Sequence, residues 1–265
     1  MSQPLYVVKI GGNVIDNPEA CTRFLNDFSK LDAPKILVHG GGKVATQMAA
    51  KLQIETQMVE GRRITDKAML DVVTMVYGGL VNKNLVAQLQ SFNCNAIGLT
   101  GADGGIIRSV KRLVKTIDYG FVGDIEAVNA KQVNALLSSG LIPVIAPLTY
   151  SIEGLLLNTN ADTMASATAV AMAGLFEVNL IYCFEKKGVL SDPDDDNAVI
   201  SQLNPTSYAS YKASGVINKG MIPKLESAFE ALNEGVKQVT ICHADELLAA
   251  AKSAAGTVIA LNPIS

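Results

Sequence analysis

Two glycine clusters and two distant lysines carry the chemistry open to this sequence. Lys9-Ile10-Gly11-Gly12 and His39-Gly40-Gly41-Gly42 each close a short β-branched run. Glycine at such a turn lets the backbone come close to a ligand. Several N–H groups can then converge on an anion, helped by the N-terminus of the next helix. Tight strand-to-helix turns without a ligand use glycine too, so neither cluster decides alone. A lone lysine such as Lys9 or Lys224 is more often a solvated charge than a catalytic one.

Other readings of the second cluster are tested by what accompanies it. Gly40 to Ala45 satisfies the G-x-G-x-x-A dinucleotide pattern, but that pattern normally follows the first strand and here follows the second. No G-x-x-x-x-G-K-[ST] loop occurs. His39-Gly40-Gly41-Gly42 matches the oxyanion loop of lipase-type hydrolases, yet the G-x-S-x-G elbow of that fold is missing. The two histidines, His39 and His243, lack the acidic or cysteine company of a zinc site. The acidic loop from Asp192 to Asn197 has Asn197 and Leu203 where a calcium loop needs Gly and Glu, and reads as a solvated loop. Phosphate chemistry survives.

The elements that must hold these residues alternate in type. Strands are expected at Leu5–Ile10, Lys35–His39, Ala96–Leu99, Ile142–Ala146, Asn179–Cys183, Gln238–Ile241 and Thr257–Ala260. Helices are expected between them: after the Asn17-Pro18-Glu19 start, from Lys43 to Leu52, after Thr65-Asp66, over Asn129–Ser139, after Asn160, and at Pro205–Ser214, Met221–Asn233 and Asp245–Ala254. Residues 106 to 128 read as antiparallel hairpins. The pattern predicts an α/β fold, a mainly parallel sheet covered on both faces. A division into two lobes would fall near Gly174.

The chain has 265 residues, 49% hydrophobic and 18% charged, with net charge −3. This is a globular composition with no basic footprint for nucleic acid. No apolar stretch nears the roughly 20 residues that span a bilayer. The four separated cysteines suit a reducing cytoplasm, with Cys183 and Cys242 as small core residues.

The ordered motifs make the reading specific. Lys9-Ile10-Gly11-Gly12, Val38 to Gly42, Gly61-Arg62-Arg63-Ile64-Thr65, Asn158-Thr159-Asn160-Ala161-Asp162 and Gly220-Met221-Ile222-Pro223-Lys224 resemble, in order and spacing, the acetylglutamate kinases of the amino-acid kinase superfamily. Val81-Asn82-Lys83 and Gly120 to Ile125 extend the match nearly end to end. The resemblance implies a three-layer αβα sandwich with a mainly parallel central sheet. It also implies ATP-dependent phosphorylation of the side-chain carboxylate of N-acetylglutamate in arginine biosynthesis. An N-lobe of about residues 1–174 would bind acyl-glutamate and dimerise, and a C-lobe of about 175–265 would bind ATP.

On that resemblance, Lys9 and Lys224 stabilise the transferring phosphoryl group, and Asp162 lies between the two ammonium groups and holds both. Gly41, Gly42, Arg63, Asn158, Asn160 and Arg62 line the substrate pocket, with Arg63 on the α-carboxylate. Gly11, Gly12, Glu185, Gly188, Leu190, Val216, Ile217 and Asn218 belong to ATP. Mg²⁺ rides on the ATP phosphates with few or no protein ligands. Two positions depart from the family: Arg62 stands where a small or apolar residue is usual, and Glu185 where an Asp opens the nucleotide loop. Arg62 would suit an N-succinyl group, with its additional carboxylate. Arginine-inhibited members carry an extension before the first strand, so no arginine feedback and a plain homodimer are expected. A non-catalytic homologue would be expected to lack one of Lys9, Asp162 and Lys224.

Overall fold

Alternation along the first strand decides which helices its residues meet. Leu5 and Val7 of Pro4–Ile10 pack into one apolar cluster, and Val8 and Ile10 into another. Ile36 and Val38 of Lys35–His39 join the first, and Leu37 the second. The first cluster includes residues of the helices Ala130–Ser138, Ala161–Ala173 and Ile222–Asn233. The second includes residues of Pro18–Ser29, Gly42–Lys51, Lys67–Val73 and Asn82–Ser91. Two helical layers therefore enclose one sheet. The computed structural model describes residues 3–59, 61–192, 194–217 and 221–262.

The sheet has eight strands in the order Gln202–Leu203, Thr257–Ile259, Gln238–His243, Glu177–Phe184, Pro4–Ile10, Lys35–His39, Ile142–Ile145 and Ala96–Leu99. All neighbours are parallel except Gln238–His243 with Thr257–Ile259. The expected three-layer α/β sandwich is present. Pro4–Ile10 lies centrally, so its carboxyl end, where Lys9 and the first glycines sit, faces the region where such sheets bind ligands.

A second sheet orders Leu156–Asn158, Leu148–Tyr150, Ile107–Lys111 and Gly123–Val128. Its antiparallel pairing of Ile107–Lys111 with Gly123–Val128 is the hairpin read from residues 106 to 128. The short strands Leu148–Tyr150, Leu156–Asn158 and Gln202–Leu203 and the ribbon Met58–Val59 with Arg62–Arg63 left no periodic signal that the sequence reading caught. The helix after Asp66 is not uniform. It runs α over Lys67–Val73, widens to π turns over Thr74–Val81 and resumes α over Asn82–Ser91. The helix expected at Asp245–Ala254 shrinks to a tight turn at Ala244–Glu246 followed by Leu247–Ala250.

A buried polar chain fixes the second glycine turn. The fully buried His39 has Nδ1 2.7 Å from the Gly40 carbonyl, which can only accept, so Nδ1 carries the proton. Its Nε2 then accepts from the Asn82 amide at 3.1 Å, and the same amide donates to the Val144 carbonyl at 2.9 Å. Burial drives the His39 pKa down to about 4, with Lys83 pulling the same way and the Gly40 bond opposing. The folded state therefore resists a proton that the unfolded chain accepts near pH 6.5. Stability is complete above that value and falls as the pH drops towards about 4. The loss expected from this one group is ~3 kcal/mol. Urea unfolding at pH 7 and pH 4.5 should show it in the wild type, and a His39→Gln variant should show a correspondingly smaller pH difference.

Candidate active site

Strand alternation sends Lys9 to the face of Leu5 and Val7, under the helix Ala161–Ala173. Asn160 caps that helix, its side chain accepting the Thr163 amide at 3.0 Å. Asp162 is thus left free in the first turn, where the helix dipole favours a carboxylate. Its Oδ1 lies 2.7 Å from the Lys9 Nζ. That oxygen makes no angularly sound hydrogen bond, so charge rather than direction holds the pair. Lys9 is only 7% exposed, which makes the partner necessary.

Lys224, from the first turn of Ile222–Asn233, reaches the same place from the other end of the chain. Its Nζ stands 3.8 Å from the centroid of the Phe184 ring, and Lys9 Nζ stands 4.8 Å from that centroid. Burial lowers the Lys224 pKa below the ordinary lysine value, with Lys9 pulling the same way and Asp162 and Glu185 opposing. Asp162 was expected to bridge both ammonium groups. Its ion-pair contact is with Lys9, and Lys224 has no carboxylate at that distance among the described residues.

The glycine turns meet backbone to backbone. Gly40 N–H donates to the Ile10 carbonyl at 3.2 Å, and a side chain on Gly40 would lie 3.4 Å from the Gly12 nitrogen. Gly41 has φ 149°, and an added Cβ would sit 3.1 Å from the Tyr77 ring. Gly11 was expected to offer its amide to phosphate. That N–H instead donates to the Cys183 carbonyl at 3.2 Å, prolonging the sheet. The candidate donor moves to Gly12, the first residue of the one-turn helix Gly12–Ile15, which has no intrahelical acceptor.

A cavity of about 210 Å³ gathers Gly41, Gly42, Arg62, Arg63, Asn158 and Asn160, all expected to share a pocket. Arg63 is splinted: Nη2 donates to the Gly42 carbonyl and to Thr46 Oγ1, both at 2.9 Å, and Nη1 to Thr56 Oγ1 at 3.3 Å. Alternation on the short ribbon buries Arg63 and exposes Arg62, whose side chain has no hydrogen bond or ion pair among the described residues. Asn158 Nδ2 donates to Thr65 Oγ1 at 2.9 Å.

A second cavity of about 220 Å³ is lined by Glu185, Gly188, Leu190, Ile217 and Lys224, with apolar walls from Phe184, Val189, Met221 and Ile241. Val216 does not line it and packs instead against the core beside Ile217. Asn218 lies outside the described residues. The motifs missed Phe184, Tyr77 and Arg112, the last lining the first cavity while its guanidinium holds Asp124, Nε to Oδ1 at 3.0 Å. A lone aromatic at a strand end and an arginine inside a hairpin give no distinctive sequence signal.

The model of the amino acid kinase family matches residues 4–243. The chain belongs to that family. It is 61% identical to the acetylglutamate kinase of Cytophaga hutchinsonii, over 93% of this chain and 94% of that one. It is 54% identical to the acetylglutamate kinase of Phocaeicola vulgatus, over 98% and 99% respectively. Among solved structures, a Streptococcus mutans protein superposes with TM-score 0.79 at 30% identity, covering 99% of this chain and all of that one. N-acetylglutamate synthase from Neisseria gonorrhoeae, crystallised with coenzyme A and N-acetyl-glutamate, shares the fold with TM-score 0.82 at 21% identity. That match covers 99% of this chain and 60% of that one.

Within this amino acid kinase fold, Gly41→Ala tests the turn. Positive φ and the Tyr77 contact together should cost about 2 kcal/mol. Differential scanning calorimetry should show a midpoint about 5 °C lower for the variant, and an unchanged midpoint would refute the strain.

Proposed function

We propose that the chain phosphorylates the side-chain carboxylate of N-acetyl-L-glutamate with ATP, giving N-acetyl-L-glutamyl 5-phosphate in arginine biosynthesis. The observation that carries the reading is the meeting of Lys9, Lys224 and Asp162 where the linings of two cavities approach each other. Asn160 and Ala161, beside Asp162, line the first, and Phe184 and Lys224 line the second. The relatives named acetylglutamate kinase supply the acceptor.

The acceptor carboxylate, with an ordinary pKa near 4.3, is already ionised at neutral pH, so no general base is required. The obstacle is the approach of an anion to a polyanion, and positioning with positive charge overcomes it. Arg63 holds the α-carboxylate, with Asn158 and the Gly41–Gly42 turn around the rest of the acid. Gly12 offers its amide to phosphoryl oxygens, and Lys9 and Lys224 meet the charge of the transferring group. Residues from about 175 onward hold the nucleotide between the apolar walls of the second cavity. Among the described residues, no three His, Cys, Asp or Glu side chains converge to cage a metal. On this reading Mg²⁺ would be carried by the ATP phosphates, where it supplies charge neutralisation. The working enzyme is a cytoplasmic homodimer paired through its N-lobe, and light scattering should give twice the chain mass.

ATP, Mg²⁺ and N-acetylglutamate should yield an acyl phosphate trapped by hydroxylamine. Lys9→Ala and Lys224→Ala should each lower kcat by about a hundredfold or more. No hydroxamate from the wild type, against a panel of candidate acids, would dismiss the assignment.

A second reading, which the relatives named acetylglutamate kinase do not favour, concerns the acyl group alone. Arg62 adds to the rim of the first cavity a guanidinium with no partner among the described residues, beside Arg63 and Arg112. Such a charge suits the additional carboxylate of an N-succinyl group. Steady-state kinetics on both acyl-glutamates decides: a succinyl preference that collapses in Arg62→Ala supports it, and an acetyl preference unchanged by that substitution removes it.

A further inference from the structure

The two lysines meet over a residue that no motif singles out. Phe184 ends the strand Glu177–Phe184, where alternation sends Val178, Leu180, Tyr182 and Phe184 to the face covered by Ala161–Ala173. The Nζ of Lys224 stands 3.8 Å from its ring centroid and that of Lys9 stands 4.8 Å away. Tyr182 stacks on it, with centroids 6.2 Å apart and planes 15° from parallel. The Tyr182 hydroxyl donates to the Asp162 carbonyl at 3.3 Å. One aromatic pair thus ties the strand that carries Phe184 to the helix that carries Asp162. A side chain on Gly11 would touch the same ring at 3.9 Å, so Phe184 also abuts the first glycine turn.

The face of a benzene ring attracts an ammonium group through its quadrupole and brings no formal charge. A carboxylate in its place would neutralise Lys224 and compete with phosphate for it. Lys9 already has Asp162 at 2.7 Å, whereas Lys224 has no carboxylate within ion-pair distance among the described residues. The ring is therefore the contact that locates Lys224.

We propose that Phe184 is a positioning residue for phosphoryl transfer, its ring holding the Lys9 and Lys224 ammonium groups together where they meet the transferring group. The proposal rests on the kinase reading above. When nucleotide arrives, the ammonium groups exchange the ring face for phosphate oxygens, and because the ring carries no net charge the exchange separates no ion pair at Lys224.

Phe184→Leu removes the quadrupole while keeping an apolar side chain, and Phe184→Tyr keeps the ring. With wild-type activity as the reference, Phe184→Leu should lower kcat about tenfold and leave KM for the acyl-glutamate unchanged. Its kcat should also fail at lower alkaline pH, because Lys224 then keeps its proton with only Asp162 and Glu185 in favour and Lys9 and burial against. Phe184→Tyr should restore both. A Phe184→Leu enzyme with kcat within about twofold of wild type and the same alkaline limb would overturn the proposal. So would one that raises KM for ATP alone, since that describes a cavity wall. Should thermal melting show Phe184→Leu unfolded, Phe184→Met is read by the same criteria. An inactive wild type would instead count against the kinase reading itself.

Discussion

Two ammonium groups that repel one another have to be kept charged, close together and partly dry. Each feature around them answers some part of that demand. Lys9 comes from the first strand of the sheet and Lys224 from a helix more than two hundred residues later, so only the closed fold brings them together. Asp162 compensates the deeper of the two. It can do so because Asn160 has taken over the cap of the helix, leaving the next carboxylate unspent in the first turn. The helix N-terminus attracts the Asp162 carboxylate, and that carboxylate in turn attracts the Lys9 ammonium.

Polar groups deeper in the molecule serve the same end by fixing backbone rather than by touching a substrate. The chain from the Gly40 carbonyl through His39 and Asn82 to Val144 links the carboxyl ends of two neighbouring strands. A half-satisfied network at this depth would cost more than an apolar one. Every member has a partner, and the glycine turn it anchors is correspondingly set. The turns themselves need glycine for two reasons at once. They lie against each other with backbone nearly in contact, and on the kinase reading that same bareness leaves the Gly12 amide to an anion.

Legibility in the sequence followed element length and pattern. The long strands and capped helices were readable because β-branched runs and Asn or Asp caps leave local signals, as at Asn17, Asp66 and Asn160. The eight-stranded order was not, since nothing in Pro4–Ile10 says that Glu177–Phe184 will lie beside it. The π turns over Thr74–Val81 read as ordinary helix because a single extra residue per turn barely disturbs apolar spacing. Among the site residues, Lys9, Asp162 and Lys224 were reached through motifs, not through periodicity. Gly11 was assigned a ligand that its own sheet already occupies, because a sequence shows that an amide is near a turn but not which carbonyl faces it. Phe184 was invisible for a related reason: its meaning lies in two lysines that approach from far along the chain.

The unequal treatment of the two lysines follows from what each can tolerate. An ammonium as deeply buried as Lys9 needs a countercharge, and a carboxylate 2.7 Å away supplies one at the cost of holding the group back. Lys224 is less buried and can remain charged with weaker support, so a ring suffices and its full positive charge stays available. On the kinase reading this asymmetry places the more neutralised cation with the first strand and the freer one with the nucleotide cavity. Charge accumulates there on the departing phosphate, and a cation not already paired stabilises that change by more than a paired one can. The same logic leaves Glu185 at a distance: near enough to oppose the burial that lowers the Lys224 pKa, it forms no ion pair among the described residues that ATP would first have to break.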